Sequence, residues 1–214
     1  MGDFNFTKAQ QFELDFHKQY VSKVFQKDYD KLMSDKAKNP VDLDPAVLSS
    51  MWEDNFFNGN LEDVKKFISH IKGKNCMDVG CGCIPWTKDT WTVKHVDMVD
   101  PLVDKYKELE VGMFGKSFFD GDNVSIYPQG AETLIDSLVN TVDGYIFCRN
   151  TIDHSEDPMS ILYNLSQYAT SGCYLLFWSD IWHNNGGDTG HHSITRSKDA
   201  IDCLLRGLGF SSIK

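Results

Sequence analysis

Apolar residues along this chain fall into two rhythms. Short stretches with apolar residues at 76–79, 93–99, 124–127, 144–148 and 173–178 predict strands. The run at 144–148 is continuous, as expected for a strand covered on both faces. Between the strands lie stretches in which apolar residues return every three or four positions, at 61–71, 101–110, 131–140, 158–168 and 197–208. These predict helices. In the first, Leu61, Val64, Phe67, Ile68 and Ile71 share one face, and Asn60 is placed to cap it. In the second, Pro101 stands at the first helical position, where a missing N–H costs nothing. In the third, Leu134, Ile135, Leu138 and Val139 point inward. The fifth strand, 173–178, reads as central, and residues 209–213 begin a sixth. Strands alternating with helices in this order predict an α/β fold with a doubly wound, mostly parallel sheet.

Ahead of the first strand the rhythm is helical. Phe12, Phe16, Tyr20, Val24 and the cluster from Tyr29 to Met33 predict an amphipathic helix over residues 7–36. It reads as a helix packed on the sheet, as a cover over the active site, or as a contact between two copies of the chain. Residues 47–57 predict a second short helix carrying Met51, Trp52, Phe56 and Phe57. The organisation expected is a helical extension over residues 1–72 and an α/β domain over residues 73–214.

The chemistry gathers where the first strand ends. Met77-Asp78-Val79-Gly80-Cys81-Gly82 runs a strand into a turn with glycines one residue apart. Glycine there lets the backbone turn tightly and lets a ligand approach main-chain atoms with no Cβ in the way. Twenty residues beyond Gly80, Asp100 closes the second strand. A carboxylate at that spacing is placed to accept hydrogen bonds from the two hydroxyls of a ribose. A dinucleotide fingerprint would want a third glycine where Pro85 stands.

The Asp78-Val79-Gly80-Cys81-Gly82 turn resembles the first motif of class I S-adenosylmethionine-dependent methyltransferases, and the segment after the fourth strand, Asn150 to Pro158, resembles that of their small-molecule, type 11-like branch. Val99-Asp100-Pro101-Leu102 resembles the second-strand motif, and Gly130-Ala131-Glu132-Thr133-Leu134 the adenine-side motif. Asn150-Thr151-Ile152-Asp153-His154, followed by Asp157-Pro158, resembles the segment after the fourth strand. The resemblance implies S-adenosyl-L-methionine as cofactor. It implies contacts from Asp78, Gly80, Cys81, Gly82, Asp100, Pro101, Ala131, Glu132, Asn150 and His154. It also departs from the family. Residues 85–90 are too short and polar for the usual helix, Gly130 replaces an acid, and no sequence remains for a seventh, antiparallel strand. The sheet is then short at that edge, or a second copy covers it through the sixth strand.

Direct methyl transfer needs no covalent nucleophile; it needs the acceptor placed in line and, for a protic acceptor, a base. His154 lies past the fourth strand, at the ligand edge of the sheet. After the fifth strand, His183, Asp188, His191 and His192 fall within ten residues. His191 and His192 are the candidate bases of that loop. The same residues also read as a divalent-metal set or as turn chemistry around Asn184-Asn185-Gly186-Gly187. No metal site is assigned, and the Cys81-x-Cys83 pair lacks a second pair at zinc spacing.

Charge narrows the acceptor. The net charge is −10 and there are three arginines, Arg149, Arg196 and Arg206. That argues against nucleic acid and for a small molecule. Of six cysteines, several lie in or beside predicted strands, which suits reduced core thiols. No apolar run approaches the ~20 residues that span a bilayer, and neither a signal peptide nor a myristoylation signal is read, so a cytoplasmic, soluble protein is expected. Two other functions stay open: an idle cofactor-binding or scaffold protein of the same fold, and a nicotinamide-dependent oxidoreductase.

Overall fold

The computed structural model describes residues 10–19, 61–83, 93–115, 117, 119–155, 157–179 and 198–211. Five strands form one sheet: β1 (Asn75–Val79), β2 (His95–Val99), β3 (Val124–Tyr127), β4 (Tyr145–Arg149) and β5 (Tyr174–Trp178). Their order is β3-β2-β1-β4-β5, and every pairing is parallel. Among the described residues five α-helical segments accompany them: α1 (residues 10–19), α2 (Leu61–Ile71), α3 (Val103–Phe114), α4 (Pro158–Tyr168) and α5 (Lys198–Gly207). The chain works outward from β1 to β3, then returns to the other side of β1. That reversal leaves a crevice at the carboxyl ends of β1 and β4, the usual ligand position in an open parallel sheet.

Two apolar cores cover the two faces. Successive strand residues point opposite ways, so Cys76 joins one core and Met77 the other. The first core takes Leu14 of α1, Phe67 and Ile71 of α2, and Val103 and Tyr106 of α3. The second takes Ile161, Leu162 and Leu165 of α4 and Ile201 of α5. Asp157 caps α4 by accepting a hydrogen bond from the Ser160 amide at 3.1 Å, with Pro158 in the first turn.

Four expectations need correction. Residues 131–140 do not form a helix; a single 3-10 turn, Asp136–Leu138, stands there. The groups a helix would pair are taken by α4. The Ile135 amide donates to the Tyr168 hydroxyl at 3.0 Å, and Asn164 Nδ2 donates to the Ala131 and Glu132 carbonyls at 2.9 and 3.0 Å. Second, β5 is an edge strand among the described residues. An apolar run reports two covered faces, not two paired edges. Third, residues 208–211 are turn and coil, so the described part of the expected sixth strand is not a strand; residues 212 and 213 lie outside the described set. Fourth, Pro101 precedes α3 rather than opening it, because Asp100 turns the chain by accepting from the Leu102 amide at 2.8 Å. The helix then runs through Gly112, which costs about 1 kcal/mol, and stops at Gly115 in a left-handed conformation, φ 71°.

Helix α1 also turns unexpectedly. Phe12 and Phe16 are 46% and 52% exposed, while Leu14 is buried and Gln10, Glu13 and His17 are half-buried beside it. The packed face is the one opposite the phenylalanines. The rest of the expected 7–36 helix, and the 47–57 helix, lie outside the described residues.

Candidate functional site

The site begins with the turn that leaves β1. Gly80 and Gly82 both take positive φ, 67° and 60°, which glycine adopts without the penalty other residues meet. Their reasons differ. A Cβ on Gly80 would collide with the Thr151 side chain, whose hydroxyl lies 2.9 Å from the Val79 carbonyl oxygen. Gly80 therefore lets the loop after β4 close on β1. A Cβ on Gly82 would meet His17 of α1 at no less than 3.8 Å. Gly82 is the glycine that faces the crevice.

Asp100 faces the same turn. It is 7% exposed, and its Oδ2 accepts from the Gly82 amide at 3.1 Å while its Oδ1 accepts from Leu102. Burial pushes its carboxyl up to about 6; the two backbone amides oppose that shift. Each carboxylate oxygen has more than one lone-pair site, so each keeps acceptor capacity beyond its amide. Pro101 follows in the turn before α3.

Other expected residues are distributed around this floor. Asp78 is buried within β1, between Met98 and Phe147 in the ladder. Cys81 is buried, and burial pushes its thiol up, reinforced by Asp100 and Asp78. Ala131 is buried in the second core. Glu132 accepts a hydrogen bond from the Ser155 hydroxyl, and a Cβ on Gly130 would lie 2.6 Å from its Oε2. That contact ties the segment after β3 to the segment after β4. Asn150 is exposed, in a left-handed conformation at φ 49°, with its amide donating to the Trp178 carbonyl at 2.9 Å. His154 ends a 3-10 turn, Ile152–His154. Its Nε2 is 3.8 Å from Asp153 Oδ2, and Asp153 is buried and accepts from the Ser179 hydroxyl at 3.1 Å. His191 and His192, with His183 and Asp188, lie outside the described residues.

Two residues enter that sequence reasoning missed. His17 Nδ1 is 3.0 Å from Cys83 Sγ, its Nε2 is 3.0 Å from Glu13 Oε1, and its ring meets Tyr106 edge-on at 5.1 Å. Burial pushes the Cys83 thiol up, and nearby Glu110 adds to the shift. A protonated thiol donates to Nδ1, so the Nε2–H tautomer donates to Glu13. Glu13 Oε2 in turn lies 3.8 Å from His154 Nδ1. The signal was the i, i+4 pair Glu13 and His17 on one helix face; the phenylalanine spacing pointed to the other. Among the described residues no group of three His, Cys, Asp or Glu side chains converges to hold a metal.

No protein-family model and no curated protein matches the chain. Solved structures do. A Bacillus halodurans protein assigned as a methyltransferase superposes with a TM-score of 0.53 at 17% identity, over 70% of this chain and 69% of its own. Phosphoethanolamine N-methyltransferase 2 of Haemonchus contortus, solved with phosphomonomethylethanolamine and S-adenosylhomocysteine, gives 0.51 at 18% identity. That match covers 78% of this chain but 41% of the enzyme. At such identities the likeness speaks to architecture: the chain has the Rossmann-like α/β fold found in S-adenosylmethionine-dependent methyltransferases.

Proposed function

We propose that this protein binds S-adenosyl-L-methionine and transfers its methyl group to a small-molecule acceptor by direct in-line displacement. One observation carries the reading: the Asp100 carboxylate ends β2 facing the Gly82 turn, at the crevice where the strand order reverses. The residues fit the cofactor. Gly82 leaves a cradle that a side chain would narrow, and Asp100 keeps lone pairs for the hydroxyls of a ribose. The cofactor, when bound, supplies a methyl already activated on a sulfonium.

The chain's own groups do the rest. Gly80, Cys81 and Gly82 present bare backbone, and Asp100 with Pro101 behind it holds the sugar. Ala131 and Glu132 border the base, with Glu132 held by Ser155. Asp78 lies beneath the turn, in β1. Asn150 and His154 stand past the end of β4. His154 is the candidate base in the described site, and His191 and His192 are candidates for the loop after β5. A net charge of −10 favours a small acceptor over nucleic acid.

A second reading, a non-catalytic cofactor-binding or scaffold protein, draws on one observation: α1 lays His17 over Gly82. Calorimetry with S-adenosylmethionine, S-adenosylhomocysteine and NAD tests the cofactor, and S-adenosylhomocysteine released in a screen of small-molecule acceptors separates an enzyme from a non-catalytic binder. The proposal expects binding of the first two, not of NAD, and its loss in Asp100→Ala. Binding to neither nucleoside would leave the scaffold reading, and unchanged affinity in Asp100→Ala would remove the ribose assignment.

A further inference from the structure

Tyr106 and Tyr168 are both buried, at 1% and 2% exposed, but their hydroxyls are used differently. The Tyr168 hydroxyl accepts from the Ile135 amide at 3.0 Å and so holds the segment after β3. Among the described residues nothing hydrogen-bonds the Tyr106 hydroxyl, and its oxygen is not fully enclosed. A buried hydroxyl without a partner is costly, and buried polar groups in folded proteins nearly always find one. Phenylalanine would fill the same space without that cost. The oxygen therefore points to a partner that comes from outside the fold.

The surroundings of Tyr106 show where that partner would lie. The residue stands one helical turn after Leu102, and its amide donates to the Leu102 carbonyl at 3.0 Å. The Leu102 amide in turn donates to Asp100 Oδ1. Tyr106 packs in the same apolar core as Cys81 and Cys83 of the glycine turn. Its ring meets His17 edge-on at 5.1 Å, and the His17 ring is what a Cβ on Gly82 would first approach, at 3.8 Å. Burial pushes the phenol far above its ordinary range, and among the nearby charges Asp100 adds most to the shift. The hydroxyl is thus a neutral donor. It feels the Asp100 carboxylate, yet no hydrogen bond joins the two.

We propose that Tyr106 is a second ligand contact on the sugar side of the crevice: its hydroxyl donates to a ligand hydroxyl that in turn donates to Asp100. An acceptor alone takes any donor, an amine included. A donor and an acceptor that converge on one oxygen select a hydroxyl. That this hydroxyl belongs to the ribose of an S-adenosyl nucleoside rests on the cofactor reading given above. That the Tyr106 hydroxyl is reserved for a ligand does not.

Tyr106→Phe deletes one oxygen and leaves the packing as it is. In thermal unfolding without ligand, Tyr106→Phe is expected to match or exceed wild type. Tyr168→Phe should melt lower, because the Ile135 amide loses its acceptor. In calorimetry, Tyr106→Phe should weaken S-adenosylhomocysteine about three- to tenfold, the scale of one hydrogen bond, and Tyr168→Phe should stay within about twofold of wild type. The loss in Tyr106→Phe should vanish for either the 2′-deoxy or the 3′-deoxy form of the same ligand, the one that lacks the contacted oxygen.

A ligand-free Tyr106→Phe protein that melts clearly below wild type would overturn the proposal, since the hydroxyl would then be bonded within the fold. So would an unchanged affinity for S-adenosylhomocysteine. An equal loss for the ligand and both deoxy forms would refute the contact and leave Tyr106 as a wall of the crevice. A wild-type protein that binds no S-adenosyl nucleoside strikes the cofactor reading and the ribose with it, while the ligand-free comparison still decides whether the hydroxyl is reserved.

Discussion

Two regions of this molecule use helices in opposite ways. Helix α2 buries Phe67 and Ile71 against the sheet, and the Phe67 ring meets Tyr145 and Tyr174 at 5.5 and 5.9 Å. Helix α1 leaves two phenylalanines about half exposed and turns Leu14, Glu13 and His17 inward. The first arrangement maximises burial and belongs to the scaffold. The second buries less and makes polar contact with the turn after β1 and with the segment after β4.

The widest gap between the two regions should appear on truncating their phenylalanines. Phe67→Ala should cost about 3–5 kcal/mol in chemical denaturation, whereas Phe16→Ala, at a half-exposed ring that meets His17 edge-on at 5.5 Å, should cost about 1 kcal/mol. Comparable losses would mean that α1 is scaffold too. The glycines divide along the same line. Gly80→Ala meets both positive φ and the Thr151 side chain and should lose about 2–4 kcal/mol. Gly82→Ala meets the backbone term alone, about 1–2 kcal/mol. Equal effects in thermal unfolding would erase the distinction drawn between them.

The smallest effect is a pH dependence at the crevice floor. Asp100 is held at about 6, above the ordinary carboxylate range, so the folded protein favours its protonated form. Its contribution to stability is full below about pH 4 and is lost as pH rises through 6. Ligand affinity should run the other way, since hydroxyl donors prefer the ionised carboxylate. Calorimetry should show S-adenosylhomocysteine binding weakening by up to about tenfold per pH unit below 6. A flat profile from pH 5 to 8 would detach Asp100 from the ligand.

What could be read from the sequence was what is local. β1, the glycine turn, β2 and Asp100 occupy residues 75–100, and the spacing that joins them is visible as spacing. Glu13 and His17 were not visible as neighbours of Cys83 and His154, because only folding brings them together from more than sixty residues upstream. The 131–140 segment misled for a related reason. Its periodicity suits a helix, but Tyr168 and Asn164 claim its backbone groups, and nothing within the segment signals that. The edge position of β5 was hidden because hydrophobicity records what covers a strand and not what pairs with it.

The place of β1 between β2 and β4 has a consequence during synthesis. Its partner on one side follows within twenty residues, but the other, β4, is about seventy residues away. A nascent chain that has released β3 already carries the glycine turn, with one flank of β1 still unpaired. Thr151, which seats against Gly80, arrives later still. The crevice between the ends of β1 and β4 is therefore complete only once residue 151 has been made, and an amino-terminal fragment ending before it should not hold the glycine turn in its folded form.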